Sequence, residues 1–347
     1  MKPRLRDSRP VAASGVLKPD DSRQFSPLDP LTVIAIRQGT DKWGSHFYTP
    51  IYHSLLAPWR GKPVRLLEIG VGGFGSKYLG GASLAMWAEY FERGLIFGID
   101  LYEKRVDLGD RVRILQGSQD DREFLERTIR QHGPFDVIID DGSHIPAHVA
   151  TSFHVLFPSL ATGGLYIVED TQTAYWPSHG GAADGAATMS LARDILKGLN
   201  HQEIAEVDPA YVVPDHAATI RSLRAYHNLL VFEKGDNTEP SDRAYDIRHP
   251  QAAMALESMA AALGASPTPR AVAFFTNFLI AMGRQGEALD LVERHLRLAP
   301  MSLDLLVAGF SISASAGLFD RANSYLRRAL TLAPDDTWLR SLTNAKL

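Results

Sequence analysis

Two short runs place carboxylates where chemistry could use them: Ile138-Ile139-Asp140-Asp141-Gly142-Ser143-His144 and Tyr166-Ile167-Val168-Glu169-Asp170. Each is an apolar run ending in two acids, which reads as a strand delivering charge to its C-terminal end, where open parallel sheets bind ligands. Four carboxylates converging there would repel one another unless a cation neutralised them. The chain has no cysteine, so a metal would sit on oxygen or imidazole, and carboxylates suit Mg²⁺ or Mn²⁺. Of twelve histidines, His144 is the one the sequence sets beside these acids. An imidazole can take the proton of a hydroxyl acidified by a metal, the work of a general base. Acids held apart as caps, and a histidine that only packs a turn, are the alternatives. His148, His154 and His179 read as structural or as rim residues.

A third run, Leu66-Leu67-Glu68-Ile69-Gly70-Val71-Gly72-Gly73-Phe74-Gly75, is a strand entering a glycine turn. Glycine lets backbone approach a ligand where a Cβ would block it. Gly70, Gly72 and Gly75 fit GxGxxG, which suits a dinucleotide or S-adenosylmethionine alike. Two features favour the sulfonium. Glu68 precedes the glycines, where a carboxylate can meet an ammonium group. The turn also runs on through Ser76, Gly80 and Gly81, so no helix N-terminus directly follows to receive a pyrophosphate. Asp100 ends the next strand 30 residues past Gly70, longer than the ~20 of a dinucleotide unit, and can accept ribose hydroxyls or serve as a cap.

These residues need an α/β scaffold. Apolar runs at Val64–Ile69, Leu95–Asp100, Val112–Leu115, Phe135–Asp140 and Leu165–Glu169 alternate with helical patterns at Leu84–Phe91, Arg122–Arg130 and Ala147–Leu160. That alternation predicts a doubly wound, mostly parallel sheet. Ser222–His227 and Leu229–Glu233 are too close for a crossover helix, so they predict an antiparallel pair that completes seven strands. Residues 1–37 form an N-terminal arm, the first 30 or so rich in Pro, Ser, Asp and Arg. The catalytic unit is expected over 38–240, with the turn-rich Gly235–Pro250 as linker. Within 250–347, Gly283, Ala288, Leu296, Leu298, Ala299 and Pro300 recur 34 residues later as Gly317, Ala322, Leu330, Leu332, Ala333 and Pro334. This period resembles tetratricopeptide repeats, degenerate because Thr276 and Phe310 replace that motif's glycine. Ala252–Gly264 is a candidate third, worn helix pair. Two repeats alone are short of independent stability, which predicts support from the catalytic unit, a second subunit or a partner.

Composition sets bounds. A net charge of −4 without a basic stripe argues against nucleic acid. The longest uncharged apolar stretches, near Ala271–Gly283 and Leu305–Phe319, fall short of a membrane span, and the basic start lacks an apolar follow-on, so a cytoplasmic protein is expected.

The strings Asp41-Lys42-Trp43-Gly44-Ser45-His46-Phe47-Tyr48-Thr49-Pro50-Ile51-Tyr52, Gly117-Ser118-Gln119-Asp120-Asp121, the Asp-Asp-Gly-Ser-His run, and Glu169-Asp170-Thr171-Gln172-Thr173-Ala174-Tyr175-Trp176-Pro177 resemble the metal-dependent macrolide-sugar O-methyltransferases, over roughly residues 38–181. The resemblance implies a class I S-adenosylmethionine fold. Asp141, Glu169 and Asp170 would hold Mg²⁺, and His144 would be the base. Glu68, Gly70, Gly72, Asp100, Gln119 and Asp140 would line the cofactor site, with Tyr48 and Tyr52 closing over it. Gln172, Tyr175 and Trp176 would face a sugar or glycoside hydroxyl acceptor, and a homo-oligomer is expected by the same analogy. Alternatives are a catechol-type O-methyltransferase, a non-catalytic scaffold that binds peptides through its helical repeats, and, on GxGxxG alone, a nicotinamide oxidoreductase.

Overall fold

Strands with apolar side chains on both faces need helices on both faces, and the chain supplies them in alternation. The computed structural model describes residues 27–239, 241, 250–264 and 267–343; most of the expected arm and of the expected linker lies outside these residues. It divides into two compact units, Met1–Arg193 with Ser222–Gly235, and Asp194–Arg221 with Asp236–Leu347.

In the first unit, α1 (Pro30–Gln38) and α2 (Thr49–Leu56) precede β1 (Arg65–Ile69), α3 (Ala82–Tyr90), β2 (Leu95–Asp100), β3 (Val112–Gln116), α4 (Arg122–His132), β4 (Phe135–Asp140), α5 (Pro146–Leu156) and β5 (Leu160–Val168). The chain then passes through α6 (Ala186–Gly198), which runs across the boundary at Arg193, and α7 (His201–Val207) of the second unit before β6 (Ile220–Tyr226) and β7 (Leu229–Lys234). The sheet has seven strands in the order β3-β2-β1-β4-β5-β7-β6. β1 to β5 pair in parallel, and β7 runs antiparallel to β5. The order reverses between β1 and β4, the switch point at which such sheets bind ligands.

Register aligns the chemistry. Ile69 pairs with Ile99 on one side and with Asp140 on the other, and Asp140 pairs with Val168. One residue further on, Asp100, Gly70, Asp141 and Glu169 therefore form a row along the C-terminal edge of four strands. The backbone bonds Gly70 N to Ile99 O (2.8 Å), Asp141 N to Ile69 O (3.0 Å) and Glu169 N to Asp140 O (3.0 Å) continue the ladder into that row. Strand alternation also sorts the acids by face. Leu66, Val137, Ile139, Leu165 and Ile167 pack into one core with Leu31, Tyr52 and Trp87 of α1, α2 and α3, so Glu68, Asp141 and Glu169, in phase with them, turn toward those helices.

The first helix lies within the expected arm. Asp29 caps it by accepting from Thr32 N (2.9 Å), Pro30 starts it, and Leu31, Thr32, Ile34 and Ala35 are buried. Arm composition ends where this apolar spacing begins.

In the second unit, α8 (Pro250–Leu263), α9 (Pro269–Ala281), α10 (Gln285–Leu298), α11 (Leu303–Ser315), α12 (Phe319–Leu332) and α13 (Thr337–Leu342) follow in order. α9 and α11 start 34 residues apart, as do α10 and α12. Ala288 and Ala322, equivalent at that offset, are both fully buried in one core with Val272, Leu305 and Ile312. The segment from Ala252 forms part of the single helix α8 rather than a helix pair. No helix among the described residues is long and apolar enough to cross a membrane.

Candidate active site

A cleft of about 850 Å³ opens above the C-terminal ends of β1, β2 and β4. Its wall includes Gly70, Gly72, Gly73, Asp100, Gln119, Asp141 and His144, all but Gly73 named from the sequence. The glycines are required by space. Gly70 has φ 100°, and a Cβ on it would stand 2.1 Å from the Asp141 carbonyl oxygen; one on Gly73 would stand 2.2 Å from the Leu79 carbonyl. Backbone thus forms the floor of the cleft between β1 and β4. Asp100 accepts from Val71 N (3.2 Å) and Tyr102 N (2.8 Å), which fixes its carboxylate at the rim. Gln119 spans the far wall: its Oε1 accepts from Ser143 N (2.7 Å) and its Nε2 donates to Asp140 (2.9 Å).

Beside the cleft, Asp141, His144 and Asp170 each offer a ligand atom within 4.8 Å of the others. His144 Nε2 is 4.0 Å from Asp141 Oδ1 and 3.8 Å from Asp170 Oδ2. Those separations are too long for hydrogen bonds and match donors that face a shared third atom. His144 (φ 55°) and Asp170 (φ 51°) are both left-handed, a conformation that costs a non-glycine residue about 1–3 kcal/mol and gathers at functional sites. Their side chains reach the same point only because the backbone turns there.

The expected metal acids share one pattern: an oxygen of each is anchored. Tyr48 donates to Asp170 Oδ1 (2.7 Å), Lys42 to Asp141 Oδ2 (2.8 Å), and both Lys42 (2.7 Å) and Tyr52 (2.6 Å) to Glu169 Oε1. Glu169 lies deeper in the core, 4% exposed, and the three donor atoms that come together are those of Asp141, Asp170 and His144. Burial, reinforced by Asp141, pushes the Glu169 carboxyl well up. Burial also raises the Tyr48 hydroxyl, and the Asp170 carboxylate adds to the shift, so Tyr48 remains a donor.

Four expected cofactor residues sit behind the wall rather than in it. Tyr48 and Tyr52 hold acids. Glu68 is fully buried, accepting from Trp87 Nε1 at 2.8 Å and lying 3.2 Å from Lys42 Nζ, because its phase on β1 turns it toward α3. Asp140 takes the opposite face from Asp141 and accepts from Gln119, Ser152 Oγ and Tyr166. Adjacent positions on a strand diverge, so Asp140 does not join the acid cluster; burial raises its carboxyl, and hydrogen bonds from Ser152 and Gln119 oppose that. Of the expected acceptor residues, Tyr175 and Trp176 are each 47% exposed on the loop after β5, and Gln172 has a buried Oε1 without a hydrogen-bond partner.

Sequence reasoning missed two lysines. Lys42 lies 1% exposed among Glu68, Asp141 and Glu169. Lys104 has a side chain that is 0% exposed, and its Nζ donates to the carbonyls of Gly72 (2.6 Å), Phe74 (2.6 Å) and Ser76 (3.0 Å). Lys42 stood inside the Asp41–Tyr52 string, but nothing in one sequence marks a lysine as buried.

No family model matches the chain. It is 45% identical over 212 residues to the 8-demethyl-8-(2-methoxy-alpha-L-rhamnosyl)-tetracenomycin-C 3'-O-methyltransferase of Streptomyces olivaceus, covering 59% of this chain and 54% of that protein. It is 42% identical over 237 residues to the mycinamicin VI 2''-O-methyltransferase of Micromonospora griseorubida, covering 66% and 56%. Among solved structures, MycE methyltransferase from the mycinamycin biosynthetic pathway, in complex with Mg and SAH, matches with 40% identity and a TM-score of 0.59 over 70% of this chain and 61% of that one. The chain thus spans a little over half the length of the curated relatives it matches. The strand order, the glycine floor and these matches agree on one result: the chain has a seven-stranded, Rossmann-like methyltransferase fold, followed by a region of several helices.

Proposed function

We propose that the chain is an S-adenosylmethionine- and Mg²⁺-dependent O-methyltransferase acting on a hydroxyl of a sugar or glycosylated natural product. One observation carries the reading: Asp141 Oδ1, Asp170 Oδ2 and His144 Nε2 face one point at the edge of a glycine-floored cleft. The names of the relatives support it: each is an O-methyltransferase, and the Streptomyces olivaceus enzyme is named for a rhamnosyl compound.

The residues present fit both groups. The backbone of Gly70, Gly72 and Gly73 lines the cleft, and Asp100 at the rim offers acceptors for ribose hydroxyls. For a cation, Asp141, Asp170 and Glu169 each keep an oxygen that accepts nothing from Lys42, Tyr48 or Tyr52, which is the donor set Mg²⁺ or Mn²⁺ takes. S-adenosylmethionine, when bound, supplies an electrophilic methyl group and leaves as the neutral sulfide. The divalent ion, when bound, lowers the pKa of a hydroxyl on it, and a vicinal diol would also be oriented by it.

The chain's own residues do the rest. His144 receives the acceptor's proton at Nε2 as the oxygen attacks. Tyr48 and Lys42 hold Asp170 and Asp141 so that one oxygen of each is left for the cation. Tyr175 and Trp176, half exposed beside Asp170, form a wall for a sugar ring, with Gln172 Oε1 as an unsatisfied acceptor in the same loop. A second reading of His144, as third ligand, is favoured by its place in the three-donor group. The helices from α9 to α12 we read as two degenerate tetratricopeptide-like repeats, on the 34-residue spacing of their starts, and as a candidate surface for protein contact or self-association.

The test is incubation with S-adenosylmethionine, Mg²⁺ and a panel of rhamnosides, other glycosides and catechols, read by mass. A gain of one methyl on a glycoside, abolished by EDTA, is the expected outcome. Methylation of catechols alone would move the acceptor to the phenolic class, and undiminished turnover in EDTA would remove the metal.

A further inference from the structure

Resting on the reading above, we propose that Lys42 is the positioning residue of the metal site: a buried ammonium that sets which oxygens the acids present. The loop between α1 and α2 brings it there. Thr40 and Asp41 line the cleft, and the next side chain turns inward until it is 1% exposed. Its Nζ lies 2.7 Å from Glu169 Oε1, 2.8 Å from Asp141 Oδ2 and 3.2 Å from Glu68 Oε1. These acids come from three strands, so one ammonium ties β1, β4 and β5 together at the edge row. Two of its donors bond Glu169 Oε1 and Asp141 Oδ2, while Glu68 Oε1 is an ion-pair contact that accepts no hydrogen bond.

The geometry has a directional consequence. With Oδ2 held by Lys42, the Asp141 carboxylate cannot turn, and Oδ1 is the oxygen left facing His144 and Asp170. Glu169 is fixed in the same way through Oε1, with Tyr52 as its second donor. Glu68 makes no contact with the three-donor group; it completes the charge around the ammonium and is steadied by Trp87.

The sign of the effect separates this role from plain electrostatics. An ammonium close to a cation site repels the cation, so by charge alone its removal should tighten metal binding. A positioning role gives the opposite, because free carboxylates must be ordered again when the ion binds. Mn²⁺ binding to the full chain, measured by electron paramagnetic resonance of the free ion, distinguishes the two. The variants are Lys42→Met and Lys42→Met/Glu68→Gln; the second removes a buried charge that the first leaves unpaired and so protects the fold.

We expect Mn²⁺ affinity at least tenfold weaker in both variants, with the double variant retaining the wild-type circular dichroism spectrum and melting nearer to wild type than the single one. Mn²⁺ binding within threefold of wild type, or tighter, in the folded double variant overturns the role of Lys42 and leaves the proposed function standing. A wild-type chain that binds no Mn²⁺ overturns both.

Discussion

The Tyr48 hydroxyl donates to Asp170 Oδ1 at 2.7 Å across 122 residues of sequence, joining the start of α2 to the acid in the left-handed turn after β5, with His46 Nδ1 3.5 Å from the same oxygen. Tyr48→Phe keeps the ring, which stacks on His46 at 4.9 Å, and removes one donor to a charged acceptor. Such a bond contributes about 1.5–3 kcal/mol. Divalent-metal affinity should fall roughly tenfold, a shift of about 1.4 kcal/mol, with the melting temperature lowered by a few degrees. Isothermal titration with Mn²⁺ checks this; affinity equal to wild type would show that Asp170 needs no anchor.

His144→Ala separates base from ligand. If His144 only moves a proton, turnover at saturating metal should drop roughly 100- to 10,000-fold while Mn²⁺ and S-adenosylhomocysteine bind as in wild type. Loss of Mn²⁺ affinity in step with turnover would instead place the imidazole on the metal. Two titrations and one rate measurement on the same preparation decide it.

Lys104 makes a separate prediction about the glycine turn. Three carbonyls of residues 72, 74 and 76 converge on its Nζ, and between them Phe74 holds φ 51° while 92% exposed. The ammonium therefore keeps the turn curled against its own preference. Lys104→Met should weaken S-adenosylhomocysteine binding about tenfold, the equivalent of about 1.4 kcal/mol, and leave Mn²⁺ affinity unchanged because no bond joins Lys104 to the acid cluster. Equal losses in both titrations would mean the substitution had disturbed the whole sheet edge.

Much of this site was legible because strand ends announce themselves. Asp100, Asp141 and Glu169 each close an apolar run, and parallel register carries them into one row with Gly70. What one sequence does not display is the face. Asp140 and Asp141 are neighbours on paper and opposites on the sheet, and Glu68 turns from the cleft toward Trp87 for the same reason of phase. Period-two alternation could have sorted them, had the strand been read by side as well as by end. Lys42 and Lys104 were beyond such reading, since a lysine is ordinarily exposed and only its three-dimensional company of carboxylates or carbonyls shows otherwise. The helix at Pro30–Gln38 had a visible signal, Asp29-Pro30 before apolar residues at helical spacing, outweighed by the composition of the arm preceding it.

Alkaline stability should report Lys42. Burial alone would lower its pKa, but Asp141, Glu169 and Glu68 reverse that and hold it well above the ordinary 10.5. A group whose folded value exceeds its unfolded one contributes stability that is complete below the unfolded pKa and disappears as the pH rises through the folded one. The wild-type advantage over Lys42→Met should therefore not fall between pH 7 and about pH 10, where the unfolded-state lysine is still charged, and should shrink only above it. Its size should be about 3–5 kcal/mol, the usual cost of removing one partner from a buried ionic group, because three acids then face one another without a counter-charge. Urea unfolding of both proteins at stepped pH values measures it; an advantage that already declines between pH 7 and 9 would mean that the ammonium is not held in its charged form by these carboxylates.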